Sequence, residues 1–348
     1  MVFTTPLGRG MRIHAIVLAA GKGARFMPLT TEYHKSLFPL LGEPILDRLL
    51  NTLVPSGVKT LTVAVGWCAD QIENHLRDFK SKEDLRVVPV RNYEIGPLMT
   101  FVTAIESCDA TRALICPADL FAESQLIAGF IDKQESADSL VDVAVDTEAQ
   151  SGTEVYTEEN GRIVGLAPIG KGDYAGRSAM LLGTRKEFLD YARDALQDGC
   201  TTVAHALEHA ISQGEMVRGV SVQGDWFDID SPQTLLKCMK YLFDNVRSAG
   251  GADIFLTLGD VFEVGQQLEF PSGTIVEKDV LLRGPLYVGK KCSIRQGSDL
   301  GPYVDLEEGT TVGQDTSLET CLAFDNAALV DGAKQTEAVI CGKTMLKE

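Results

Sequence analysis

Hydrophobic positions along the chain follow two different periods. Up to about Leu242, short apolar runs alternate with amphipathic stretches. HAIVLAAG, TLTVAVG, LRVVPV, ALICPAD and VDVAVD are of strand length and rich in β-branched residues, whereas ILDRLLNTLV, ADQIENHLRDF and SQLIAGFIDKQ repeat at helical spacing. Strands alternating with helices predict an α/β architecture with a doubly wound, mostly parallel sheet. TEVYTEENGRIVGLA predicts a hairpin turning at Asn160-Gly161. Two helices follow between about 186 and 213, and a last one opens with Ser231 as N-cap and Pro232 in its first turn. GGAD at 250–253 reads as a linker.

Beyond the linker the period changes to six. Stepping from Val264 by six gives Phe270, Val276, Leu282, Val288, Ile294, Leu300, Leu306, Val312, Leu318, Phe324 and Val330, twelve apolar residues in twelve positions. The fourth position after each is small or apolar, from Leu268 and Thr274 to Leu322 and Ala328. Such a period predicts a hexapeptide parallel β-helix with three hexads to a coil, hence about four coils over 264–335. The pattern fails at Thr336 and Gly342, where a cap or tail is expected. The predicted domains are therefore 1–246 and 247–348.

Composition narrows the chemistry. The 348 residues carry 32 basic and 49 acidic side chains, a formal charge of −17. A field of that sign repels phosphate backbones and anionic lipid surfaces, so neither nucleic acid nor a membrane is an expected partner. No stretch approaches the length of a membrane span, and the N-terminal apolar run breaks at Gly21-Lys22 with no cleavage-like site, Met11 being as good a start as Met1. The eight cysteines are scattered with no CxxC pair, which excludes zinc knuckles and reads as reduced thiols in a cytoplasmic protein. A phosphorylated ligand would need a local cluster of cations, or a divalent metal.

One loop has that cluster. Leu18-Ala19-Ala20-Gly21-Lys22-Gly23-Ala24-Arg25 runs on through Pro28-Leu29-Thr30, then Lys35 to Pro39 and Gly42-Glu43-Pro44. It is a strand entering a glycine-containing loop, where backbone N–H groups can approach phosphate oxygens and Lys22, Arg25 and Lys35 can neutralise them. Its spacing is neither GxxxxGK[ST] nor GxGxxG. Asp119 closes a predicted central strand, where ligands of open α/β sheets collect, and Asp228 follows a tryptophan just before a helix. Taken alone, each aspartate also fits a cap or loop position.

The LAAGxGxRxxPLT…K…P…GxP pattern resembles the head of the sugar-1-phosphate nucleotidyltransferases, in particular the glucose-1-phosphate thymidylyl- and uridylyltransferase-like members with a hexapeptide-repeat C-terminal domain. The resemblance spans the chain: Val65-Gly66-Trp67 is similar to the family's second-strand turn, Asn92 to Gly96-Pro97 to its base-reading segment, Pro117-Ala118-Asp119 to its metal-binding aspartate, and Trp226 to Pro232 to the element with a second one. It implies a Rossmann-like catalytic domain followed by a short left-handed β-helix. It also implies the reaction of an NTP with a sugar-1-phosphate to an NDP-sugar and pyrophosphate. Arg25 would stabilise the departing pyrophosphate, Lys35 the α-phosphate, and Asp119 and Asp228 would hold Mg²⁺. Leu18 to Ala24, Asn92, Gly96 and Pro97 would bind the nucleotide, with Ala20, Gly21 and Pro97 facing the base.

Two departures bear on these expectations. His34 stands where the family usually has proline, and the family's Glu-Lys-Pro lysine is missing near Leu166-Ala167-Pro168. Ile169-Gly170-Lys171 is similar to an element of the inositol-1-phosphate cytidylyltransferase branch, which places Lys171 on the acceptor phosphate and admits a non-sugar alcohol phosphate as acceptor. The missing lysine also keeps open a catalytically silent, nucleotide-binding regulatory subunit. His205 to His209 satisfies HxxEH, but inside a helix already claimed by the α/β pattern it reads as helix surface. None of the five histidines lies in the repeat region, which argues against a histidine-based acyltransferase there; its flat, apolar-edged coils stack readily and fit an oligomerisation or regulatory module, with a homo-oligomer expected.

Overall fold

The computed structural model describes residues 13–77, 79, 84–134, 138–166, 172–245, 254–256, 261–263 and 270–347. The described residues up to Gly21 and from Leu49 to Trp226 form one compact unit, and Lys22–Arg48 with the residues from Phe227 onward form another. The GGAD linker, Val264, Leu268, and Lys171 with its Ile169-Gly170 neighbours lie outside the described residues.

In the first unit the apolar runs are strands and the amphipathic stretches helices, as their periods predict. β1 (Ile13–Ala19), β2 (Val58–Val65), β3 (Asp84–Pro89) and β4 (Arg112–Pro117) are parallel in the order β3-β2-β1-β4. α1 (Ile45–Leu53, in this unit from Leu49 on), α2 (Ala69–Arg77) and α3 (Pro97–Glu106) alternate with them. After α4 (Ser124–Asp132) come β5 (Val141–Asp146) and the hairpin of β6 (Glu154–Thr157) and β7 (Ile163–Leu166), whose turn has Gly161 at φ +79°. A long strand, β8 (Asp173–Arg185), pairs antiparallel with β4, β5 and β6. α5 (Phe188–Gln197), α6 (Val203–Ser212) and β9 (Val217–Ser221), the last parallel to β5, complete the sheet.

Central strands are apolar on both faces because helices cover both. Ile16, Phe101, Val143, Phe188 and Ala206 meet in one core, with the Phe101 and Phe188 rings edge to face at 5.5 Å. One charge is sunk in this layer. Asp142, fully buried, accepts from Arg112 and Arg218, each at 2.8 Å, and from the Ser139 hydroxyl at 2.6 Å, so its desolvation is offset by three donors.

In the second unit, α7 (Pro232–Asn245) starts as the sequence predicts, with the Thr234 N–H donating to the Ser231 hydroxyl at 3.3 Å. The repeats form three parallel ladders of four strands. One stacks Ile275–Val276, Ser293–Ile294, Thr311–Val312 and Ala328–Leu329. Another stacks Leu281–Arg283, Asp299–Leu300 and the starts of the long strands Ser317–Phe324 and Lys334–Cys341. The third stacks Leu286–Val288, Val304–Leu306 and residues 321–323 and 338–340 of those long strands. Hexad residues from Leu282 to Leu318 are buried in one core.

The six-residue count fails before its predicted end. Leu286 pairs with Val304, eighteen residues on, but Val304 pairs with Cys321 and Cys321 with Ala338, seventeen on. The missing residue is at a corner. Three residues separate Leu282 from Leu286 and Leu300 from Val304, but only Glu319 and Thr320 separate Leu318 from Cys321, with Thr320 at φ +50°. Ala323 and Leu329 therefore point into the core, and Val330, predicted inside, is 75% exposed. The ladder also continues past Thr336 to Cys341, and the closing strand Thr344–Lys347 then turns back antiparallel.

Candidate functional site

The strand order of the first unit reverses between β1 and β4. Connections leave the two strands in opposite directions there, opening a crevice beyond their carboxyl ends where open α/β sheets bind ligands. Leu18 and Ala19 end β1, with Ala20 and Gly21 just beyond; Pro117 ends β4, with Ala118 and Asp119 beyond. The Ala118 N–H donates to the Leu18 carbonyl at 3.0 Å, so Asp119, 8% exposed, stands beside the start of the glycine loop.

Backbone contacts tie the predicted base-reading segment to the same end of the sheet. The Trp67 N–H donates to the Ala20 carbonyl at 3.1 Å, and a Cβ on Gly66 would lie 2.8 Å from the Ala20 methyl and 2.6 Å from the Tyr93 ring. Tyr93 belongs to a short turn between Asn92 and Gly96. Gly96 has φ +137°, and a Cβ there would stand 2.7 Å from the Thr201 carbonyl oxygen. That oxygen also accepts from the Leu98 N–H at 2.9 Å, one residue after Pro97 opens α3. Tyr93 and Thr201 were not singled out from sequence; the glycines that mark their close approach, Gly66 and Gly96, were the available signal.

The two glycines of the loop differ. Gly23 is left-handed at φ +62°; its carbonyl accepts from the Phe26 N–H and the Thr30 hydroxyl, each at 2.9 Å, and a Cβ would press on the Lys35 side chain at 3.0 Å. It is a turn glycine. Gly21 has no such constraint, and among the described residues a Cβ there would meet no atom within 4 Å beyond its chain neighbours.

In the second unit, Lys22 and Ala24 are exposed, and a single turn, Ala24–Phe26, presents Arg25. Its guanidinium pairs with Asp230, a partner 205 residues away that the sequence reading did not assign. Asp230 is held in turn, its N–H donating to the Thr234 hydroxyl at 3.1 Å. Asp228, half-buried, ends the strand Trp226–Asp228 two residues earlier. Lys35 opens the turn Lys35–Leu37, capped by His34, whose Nδ1 accepts from the Ser36 N–H at 3.2 Å. His34 has φ −73°, close to the angle a proline ring imposes, so this position holds a backbone angle that proline also adopts.

His205 and His209 lie on α6; the His205 Nδ1 is 2.8 Å from the Thr202 hydroxyl that caps the helix, and the His209 ring lies against Tyr191. Among the described residues no group of three or more His, Cys, Asp or Glu side chains is gathered, and no helix is long and apolar enough to cross a membrane. All eight thiols are free, and burial pushes that of Cys116, in β4, up to about 12.

Comparison with known proteins places the chain in a family. Mannose-1-phosphate guanylyltransferase 1 of Arabidopsis thaliana is 20% identical over 366 residues, covering 94% of this chain and 98% of that protein. Mannose-1-phosphate guanyltransferase beta-A of Xenopus laevis is 23% identical over 339 residues, covering 91% and 90%. Among solved structures, the inositol-1-phosphate CTP transferase from T. maritima shares the fold, with a TM-score of 0.59 at 18% identity, covering 69% of this chain and 98% of that one. The family model of the MobA-like NTP transferase domain matches residues 15–210, from β1 into α6 and more than half of the sequence. The chain belongs to the MobA-like NTP transferase family.

Proposed function

We propose that the chain couples an NTP to a sugar-1-phosphate, giving an NDP-sugar and pyrophosphate. The observation that carries this reading is the glycine loop. It starts at the carboxyl end of β1, at the reversal of strand order, beside Asp119, and leads into Arg25 and Lys35. Relatives that match along almost their whole length are named as mannose-1-phosphate guanylyltransferases, so GTP with mannose-1-phosphate is the first pair to try.

A phosphate oxygen of the acceptor attacks the α-phosphorus in line; the new O–P bond forms as the bond to the β-phosphate oxygen breaks, and pyrophosphate leaves. The acceptor phosphate is already ionised near neutral pH, so no general base is required, and catalysis rests on positioning and charge neutralisation. Lys35 neutralises the α-phosphate and Lys171 the incoming one. Arg25 takes the pyrophosphate, which exchanges one anionic partner, the Asp230 carboxylate, for another. The open space at Gly21 admits the nucleotide to the main chain of Leu18 to Ala24, with Asn92, Gly96 and Pro97 on the base. Asp119 and Asp228 offer carboxylate oxygens, the donors a hard cation prefers, and would hold Mg²⁺, which supplies charge neutralisation at the phosphates.

The three ladders are assigned to a short left-handed parallel β-helix, and its exposed Ile275 and Val330 to self-association of a cytoplasmic enzyme.

The test is pyrophosphate release with Mg²⁺ over a grid of NTPs against mannose-, glucose-, N-acetylglucosamine- and inositol-1-phosphates. One active row and column is expected. Arg25→Ala and Asp119→Asn should each lower turnover by at least about a hundredfold with the fold intact, the size of one lost transition-state contact. A silent grid with nucleotide still bound would replace this reading by the regulatory-subunit one, and near-normal rates in both variants would overturn the site.

A further inference from the structure

The Lys22–Arg48 segment holds, just before α1, a hairpin with two backbone donors that it cannot satisfy itself. Pro39 pairs with Pro44 and Leu40 with Glu43, leaving the two-residue turn Leu41-Gly42. Both turn residues are left-handed, at φ +51° and +80°, the type I′ geometry in which the central N–H groups point away from the hairpin. Each meets a carboxylate from the strand Val304–Leu306 or the residue after it. The Leu41 N–H donates to Asp305 Oδ2 and the Gly42 N–H to Glu307 Oε1, both at 2.8 Å. A Cβ on Gly42 would collide with the Tyr287 hydroxyl, from the neighbouring strand of the same ladder. Earlier in the segment, Phe38 and Tyr33 pack on Phe324, with ring centroids 5.0 and 5.6 Å apart. Phe38 is one turn from Lys35, its N–H donating to the Lys35 carbonyl at 3.0 Å.

Stability alone does not explain two buried acids at this place. Asp305 is fully buried and Glu307 is 8% exposed, and placing one carboxyl group beside another out of water is costly, where neutral acceptors would satisfy the same two N–H groups with less desolvation. What the acids add is direction: two fixed acceptors for two consecutive N–H groups set the hairpin's angle and register as well as its position. We propose that Asp305 and Glu307 are positioning residues for the nucleotidyl transfer, through which the repeat strands orient the segment that carries Arg25 and Lys35. This rests on the reading of that segment as the phosphate-handling loop.

The test uses the full chain, with steady-state kinetics and hydrogen exchange at the Leu41 and Gly42 amides. The double variant Asp305→Ala/Glu307→Ala should lose about 10- to 100-fold in kcat, the scale of a roughly 1 Å misplacement of reacting groups, with KM changed far less. Its two amides should exchange at least about tenfold faster. Asp305→Asn/Glu307→Gln keeps a carbonyl acceptor at each place and should restore both readouts. Val312→Ala, in a different ladder from Asp305, is the stability control and should leave kcat and the two amides unchanged. The proposal is overturned if kcat survives in the alanine variant, or if Val312→Ala lowers kcat as much. Arg25→Ala is run beside them: if it keeps full activity the loop reading fails instead, and the exchange data still decide whether the carboxylates hold the turn.

Discussion

Arg25 is engaged before any phosphate arrives, by an Asp230 that is itself fixed to the first turn of α7 through Thr234. The arginine side chain is 68% exposed, and surface pairs of this kind contribute little to stability. The value of the pair is directional, holding a long side chain in one of its many rotamers. Asp230→Asn should therefore change unfolding free energy by less than about 0.5 kcal/mol while lowering kcat about tenfold, since the guanidinium must be oriented afresh in each turnover. Denaturant melts and pyrophosphate release measured on the same preparation check this. A loss of stability without a loss of rate would make the pair structural. Chemistry was legible in sequence at this scale, because a cluster of cations in an acidic chain calls for an anion. Pairing was not: Arg25 and Asp230 are 205 residues apart, and no local period connects them.

Among the elements, strands and helices of the first unit follow their periods because burial on one face or two leaves a mark on every second or every third and fourth residue. The repeat strands follow a period of six for the same reason, and their slip shows what periodicity conceals. Phe324 and Val330 keep the count of six apolar, yet Phe324 packs on Tyr33 and Phe38 and Val330 faces solvent. An apolar residue fits the count whether it fills the core, covers an outer face or stands exposed. The slip makes a paired prediction. Leu329→Ala should cost about 2–4 kcal/mol as a core truncation, whereas Val330→Ser should stay within about 0.5 kcal/mol. Strict hexad counting expects the opposite order, so equilibrium unfolding of the two variants decides between the registers.

At the scale of the whole molecule, the sequence suggests a cut near the GGAD linker, while contacts gather Lys22–Arg48 with the repeats. Composition changes at a linker and is therefore readable; a hairpin whose turn meets carboxylates 264 and 265 residues later leaves no local trace. Each of the two units holds a group whose titration is shifted by folding, half-buried His14 in one and buried Asp305 in the other, and the two act in opposite directions. His14, on β1 with Nε2 2.9 Å from the Thr62 hydroxyl, has its pKa lowered from 6.5, by burial first and then by Arg86. The unfolded chain takes up that proton more readily, so the first unit loses stability as pH falls through 6.5 toward the folded value. Asp305 has its pKa raised well above 3.8, by burial first and then by Glu307, against the opposing pull of the Leu41 N–H and Arg48. Here the native state keeps a proton that the unfolded chain releases, so the second unit is favoured below pH 3.8 and loses that contribution as pH rises toward the folded value. Hydrogen exchange at about pH 5 and about pH 8, corrected for intrinsic rates, should show protection rising with pH around β1 and falling with pH around the strand Val304–Leu306. His14→Gln should flatten the first trend alone and Asp305→Asn the second alone. A common trend in both units, unchanged by either substitution, would mean that neither group governs the pH response.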